Sequence, residues 1–196
     1  LKKNQNILDV GCSNGKFISI VNTVKDGLNC EGIDIDESGI SDAKIKYGES
    51  VVFKKQTLAS LNYKDKYDIV IFRGTFQYLA DELHQSISTL REILKNNGKV
   101  VIFSLPSTDS FMYFLLGEKW GLFHPEMSLM FNENSFTYLA ERYNFCIDSI
   151  EYPYLGDIYA DQKKDYENIK DIIKGKTDNS NPFWGSLMTI VMSKNN

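Results

Sequence analysis

Cysteine and histidine are scarce in this 196-residue chain, at three and two residues. The cysteines, Cys12, Cys30 and Cys146, are widely spaced and odd in number, with no C-x-x-C pair. That pattern excludes a disulfide framework and a zinc site of ordinary spacing, so no metal is expected and a reducing, cytoplasmic setting is implied. No uninterrupted apolar run approaches the ~18 residues of a membrane span, and no secretory signal opens the chain. An excess of positive charge is missing too: 22 Lys and Arg face 26 Asp and Glu, a net charge of −4 that argues against a nucleic-acid surface. Repeats and low-complexity tracts are absent, and 42% hydrophobic residues suit one folded domain spanning residues 1–196. The chain starts at Leu1, almost on its first apolar strand, so a leading segment is expected to precede it.

What is present is a glycine turn after an apolar strand. Ile7-Leu8-Asp9-Val10 runs into Gly11-Cys12-Ser13-Asn14-Gly15. Gly11 suits a positive φ where the backbone leaves the strand, and Gly15 removes a side chain where the following helix must pass close to a ligand. A phosphate-binding P-loop needs G-x-x-x-x-G-K-[ST], whereas here three residues separate the glycines and Phe17 follows Lys16. A nicotinamide dinucleotide fingerprint needs G-x-G-x-x-G, and Ser13 stands where the second glycine would let a pyrophosphate touch the backbone. A cofactor without a pyrophosphate fits better.

Strand and helix patterns then alternate as a doubly wound α/β fold requires. Strands are predicted at 5–10, 29–35, 51–54, 67–72, 98–105, 145–152 and 186–192, and helices at 16–25, 38–47 with Ser38 as cap, 81–94, 135–143 and 161–173. Asn96-Asn97-Gly98 closes the 81–94 helix with a residue tolerant of left-handed geometry. The two late strands lack a clear crossover helix, so they should form an antiparallel pair at one sheet edge.

The pattern hydrophobic-Asp-hydrophobic-Gly-Cys-x-x-Gly resembles motif I of the class I S-adenosylmethionine (SAM) dependent methyltransferases. Asp34, which ends the second strand 23 residues after Gly11, resembles that family's second acid. The segment Arg91 to Pro106 resembles its helix, glycine turn and fifth strand. The resemblance covers nearly the whole chain, is strongest over residues 5–105, and lies nearest the small domains called methyltransferase types 11, 12 and 23. It implies a Rossmann-like, mostly parallel seven-stranded sheet with SAM held by the turn Gly11, Cys12, Ser13 and Gly15. Asp34 would accept hydrogen bonds from the ribose hydroxyls, and Asp9 would face the ammonium and sulfonium charges. Ile35 would pack on the adenine, with Gln56, Thr57 and Leu58 beside its amino group.

After the fourth strand, Phe76-Gln77-Tyr78 replaces the relatives' frequent Leu-Glu-His. Arg73 could meet the methionine carboxylate, and Phe76 is included in the cofactor site. Aromatic residues crowd 107–131, which is expected to form a lid over the acceptor. Within it, Trp120-Gly121-Leu122-Phe123-His124-Pro125-Glu126 resembles a type 23 phrase, making His124 the candidate general base. His84 reads as a helix-packing residue. The implied activity is methyl transfer to oxygen of a small molecule such as a sugar, sugar phosphate or other metabolite. Alternatives are a non-catalytic SAM-binding domain of a larger protein and an NAD-binding oxidoreductase. Oligomeric state is not legible.

Overall fold

The computed structural model describes residues 1–124, 126–154, 160–176 and 186–195. Seven strands form one sheet: β1 (Asn6–Val10), β2 (Asn29–Asp34), β3 (Val52–Lys55), β4 (Tyr67–Arg73), β5 (Leu94–Pro106), β6 (Phe145–Glu151) and β7 (Leu187–Lys194). The spatial order is β3-β2-β1-β4-β5-β7-β6. The first five are parallel, and β7 runs antiparallel to both β5 and β6. The α/β class, the mostly parallel seven-stranded sheet and the antiparallel late pair match the sequence expectation. Chain order reverses between β1 and β4, the switch point where sheets of this kind open a crevice at their carboxyl ends.

Two apolar layers hold the helices to the sheet. On one face Leu8, Val10, Val70, Phe72, Val100 and Ile102 pack with α3 (Leu83–Ile93) and α5 (Glu133–Tyr143). On the other, Ile7, Cys30, Phe53 and Ile71 pack with α1 (Lys16–Val24) and α2 (Glu37–Tyr47). Residues 7 and 8 enter different clusters because successive strand side chains point to opposite faces.

Several boundaries differ from the sequence reading for local reasons. Asp36, not Ser38, caps α2, because its carboxylate accepts from the backbone N–H groups of Ser38 and Gly39 at 3.1 and 2.9 Å. The predicted 81–94 helix begins at Leu83 after a 3-10 turn over Ala80–Glu82. β5 starts at Leu94 rather than Gly98, since Leu94 pairs with Tyr67 before a register shift. Asn97 supplies the left-handed residue there, at φ 60°.

Residues 107–124 and 126–131 include a short helix α4 (Phe111–Leu116) and a 3-10 turn over Gly117–Lys119. Trp120 is 1% exposed and packs with Met112 and with Ile169 of α6 (Gln162–Ile173), making a third small cluster. The segment is tied down by backbone hydrogen bonds from Thr108 to Phe131 and from Leu129 to Gln77, at 2.9 and 3.1 Å. Trp120 therefore has a structural use of its own, against α6, while Phe114 in the same segment is 88% exposed.

Candidate functional site

The glycine turn leaves β1 in left-handed steps: Gly11 at φ 77°, Ser13 at 48° and Gly15 at 73°. The backbone N–H groups of Gly11 and Cys12 both donate to the Ile33 carbonyl, at 2.8 and 3.0 Å, which pins the turn to the end of β2. A Cβ on Gly11 would sit 2.3 Å from the Thr75 hydroxyl, so a side chain is excluded by sterics as well as by φ. Gly15 does not line the cavity around Asp34; a Cβ there would stand 2.6 Å from the Phe53 ring and 2.9 Å from Ala43, so β3 and α2 require glycine at this position. Ser13, at φ 48°, takes a conformation that an L side chain disfavours.

Asp34 is fixed by the same turn. One carboxylate oxygen accepts from Ser13 N–H at 2.7 Å and the other from Asp36 N–H at 2.9 Å. A carboxylate has roughly four acceptor positions, so each oxygen retains room for another donor. Two vicinal hydroxyls meet that requirement.

Around Asp34 opens a cavity of about 470 Å³, at the carboxyl ends of β1, β2 and β4. The sequence-predicted Gly11, Asp34, Ile35, Gln56, Thr57 and Leu58 all line it. Ile35 is 70% exposed at its wall, an apolar surface that lacks a protein cover. Larger surface hollows, about 620 Å³ between α4 and α6 and about 850 Å³ around Tyr63 and Arg91, gather neither the ends of β1, β2 and β4 nor the glycine turn after β1.

Other predicted residues lie beneath or beside the cavity. Asp9 is 2% exposed, one residue before the lining pair Val10–Gly11. Burial pushes its carboxyl up from 3.8 to about 7, Arg73 opposes the rise, and Asp34 adds to it. The Oδ1 atom of Asp9 has no hydrogen-bond partner among the described residues. Arg73, at the end of β4, stands over the Phe17 ring at 5.1 Å and lies outside the lining. Cys12 is buried under the turn, where its Sγ would be 2.8 Å from a Cβ on Gly32. Ser13 contributes its N–H to Asp34 and does not line the cavity.

Phe76 departs from its expected place: it is 1% exposed and packs edge-on against Phe72, with Phe131 and Phe136 beside it. Its ring is core: the 3-10 turn over Phe76–Tyr78 follows β4, and Phe76 joins the cluster that holds Phe72 of that strand. His124 is exposed and is not among the cavity residues, and Pro125 beside it lies outside the described residues. His84 bonds through Nδ1 to the Tyr143 hydroxyl, which joins α3 to α5 as a packing residue would.

The sequence reading missed the wall formed by Thr75, Tyr78, Leu79, Asp81 and Glu82. Its signal was position: these residues follow β4, the neighbour of β1 across the switch point. Tyr78, 46% exposed, stands where the resembled family carries histidine. Among the described residues no group of three or more His, Cys, Asp or Glu is placed to hold a metal ion. No helix among them is long and apolar enough to cross a membrane.

Comparison with known proteins agrees with this geometry. Residues 1–150 match the family profile of a methyltransferase domain, the type 23 profile. A malonyl-[acyl-carrier protein] O-methyltransferase from Ilyobacter polytropus is 28% identical over 128 residues, covering 64% of this chain and 46% of that protein. The chain thus spans less than half the length of the curated relatives it matches. Among solved structures, a SAM-dependent methyltransferase from Methanosarcina mazei superposes with TM-score 0.68 at 17% identity, covering 100% of this chain and 94% of that one. The [4+2]-cyclase SpnF superposes at 0.66 with 14% identity, over 100% and 77%. At such identities the structures establish the fold, and the profile over most of the chain establishes the family. The chain belongs to the methyltransferase domain family of the class I, SAM-dependent type.

Proposed function

We propose that the cavity between β1, β2 and β4 binds SAM and that the chain transfers its methyl group to an oxygen atom of a small-molecule acceptor. The observation that carries this reading is Asp34, held by two backbone N–H groups with one free acceptor position on each oxygen. That arrangement suits a ribose, and the exposed Ile35 beside it suits an adenine face. Gly11 keeps the floor open, and the acids Asp34, Asp81 and Glu82 in the lining suit a cationic ligand. No lysine or arginine lines the cavity, in keeping with a cofactor that lacks a pyrophosphate.

When bound, SAM supplies an electrophilic methyl on a sulfonium. The protein's part is alignment and exclusion of water, and orientation of this kind contributes ~7–11 kcal/mol. Thr75, Tyr78, Leu79, Asp81 and Glu82 form the wall beside the glycine turn. Oxygen as acceptor is supported by the curated O-methyltransferase relatives, whose substrate is carried on a protein. Acceptors of the sugar or sugar-phosphate class remain part of the proposal.

Calorimetric titration with SAM, S-adenosylhomocysteine and NAD tests the site. Binding of either SAM-family ligand without NAD is expected; NAD binding alone would overturn it. A second reading, SAM binding without turnover, is favoured by the exposure of His124 away from the cavity lining. Release of S-adenosylhomocysteine in the presence of an acceptor pool separates the two.

A further inference from the structure

The outer side of α6 carries a pattern that the core does not use. Asp165, Ile169 and Ile172, spaced three and four residues apart, make its inward side: the first two are buried, and Ile172 packs against the Met112–Trp120 cluster. Lys163, Tyr166, Lys170, Ile173 and Lys174 recur at helical spacing on a second side, where Tyr166 is 58% and Ile173 64% exposed. The Lys170 ammonium stands over the Tyr166 ring, 5.5 Å from its centre. Residues 162–176 hold five lysines against three acids, in a chain whose net charge is −4. Lys176 pairs with Asp171 and Lys170 with Glu167, whereas Lys119, Lys163, Lys164 and Lys174 make no ion pair among the described residues.

A second apolar surface comes from α4. Met112 enters the small core with Trp120, which leaves Phe111 and Phe114, three residues apart, 48% and 88% exposed. The next residues, Leu115 and Leu116, meet Ile172 and Ile173 in the hollow between the two helices, with Lys119 and Lys176 in its lining. Single apolar side chains are ordinary on a surface. Here aromatic and aliphatic groups alternate with unpaired cations across two adjoining helices, the composition of an element that lies in a lipid headgroup layer.

We propose that the α4–α6 face docks on an anionic lipid bilayer. Phe111, Phe114 and Ile173 enter the headgroup region, Tyr166 sits at its boundary, and Lys119, Lys163 and Lys174 pair with lipid phosphates. Charge favours this occupant over a second copy of the chain. A two-fold pairing would set one lysine stripe against another, whereas an anionic surface attracts every unpaired lysine at once. Attachment is peripheral, since no helix among the described residues is long and apolar enough to cross a membrane. Because α4 follows the carboxyl end of β5, docking brings that end of the sheet, and the cavity with it, close to the bilayer.

Flotation with vesicles of phosphatidylcholine alone, and of phosphatidylcholine mixed with phosphatidylglycerol, tests the proposal on the whole chain without cofactor. Binding is expected to the anionic vesicles at low salt, falling at high salt as charge is screened, with none to the zwitterionic vesicles. Lys163→Gln and Lys174→Gln should each weaken binding about fivefold, and Phe114→Ser ~10-fold or more. All three side chains are exposed, so the circular dichroism and Tm of these variants should match the parent. Lys44→Gln, an exposed position on α2 in the other helix layer, should bind as the parent does. No binding to anionic vesicles at low salt, or an equal loss from Lys44→Gln, would overturn the proposal. So would a lipid-free dimer that Phe114→Ser dissolves, which would assign the face to a second copy. With no cofactor in the assay, each of these results leaves the reading of the cavity as a SAM site untouched.

Discussion

Two acids are buried on neighbouring strands one register step apart, and they behave in opposite ways. Asp9 on β1 stands opposite Gly32, and Glu31 on β2 stands opposite Leu8, so alternation sends them to different faces of the sheet. Glu31 receives Lys54 at 2.6 Å, Lys66 at 2.7 Å and the Tyr67 hydroxyl at 2.9 Å. Burial alone would raise its carboxyl, but those three donors hold it below the ordinary glutamate value of 4.5. Asp9 has no such set, and its carboxyl rises. A fully paired acid of this sort stabilises a fold, while one left incomplete beside a cavity is a candidate to meet a ligand.

The largest effect should come from removing the paired acid. Glu31→Ala leaves two lysines and a tyrosine around an empty space, and should lower stability by about 2–4 kcal/mol, less than a fully enclosed pair because both lysines reach solvent. Denaturant unfolding measures this. In the parent protein the Glu31 contribution is present above pH 4.5 and fades as pH falls through its lowered folded value. A Glu31→Ala protein as stable as the parent at pH 7 would erase the contrast with Asp9.

Next is the cofactor side. Asp34→Ala should weaken SAM binding by about 1.5–3 kcal/mol, as charge-assisted hydrogen bonds are lost, with little change in binding of ligands lacking the ribose. Titration calorimetry reads it.

A smaller effect, of opposite sign, is expected for Asp9→Asn on stability. With its folded value raised from 3.8 to about 7, Asp9 stabilises fully below 3.8, and that contribution is lost as pH rises toward 7. The substitution should therefore gain about 1–2 kcal/mol relative to the parent between pH 5 and pH 8. Thermal unfolding across that range checks it; a difference independent of pH would mean Asp9 is already charged at pH 5. The smallest effect is Ser13→Gly, which relieves a left-handed serine at φ 48° and should stabilise by about 0.5–1 kcal/mol, read as a small rise in Tm.

The sheet, its strands and the Asp34 side of the cavity were legible because they rest on short-range rules. Apolar runs bounded by glycine and asparagine mark parallel strands, and a glycine turn followed by a strand-end acid marks the switch point. What escaped depends on long-range packing. Phe76 reads as a site residue in sequence, yet its ring joins Phe131 and Phe136, more than fifty residues away along the chain. That Trp120 packs on Ile169 of α6 was equally out of reach, because α6 lies about forty residues further along the chain. The steric requirement for glycine at position 15 likewise comes from Phe53 and Ala43, far along the chain. Asp81 and Glu82 carry no pattern of their own, and with Tyr78 they become a wall only through the pairing of β1 with β4.

The most direct measurement is a crystal structure of the protein with S-adenosylhomocysteine. The expected result is density along the ends of β1 and β2, with both ribose hydroxyls on the Asp34 carboxylate, the adenine against Ile35 and the amino-acid end toward Asp9 and Arg73. Density for the ligand elsewhere, or in this cavity with Asp34 bound only to its backbone donors, would contradict the account.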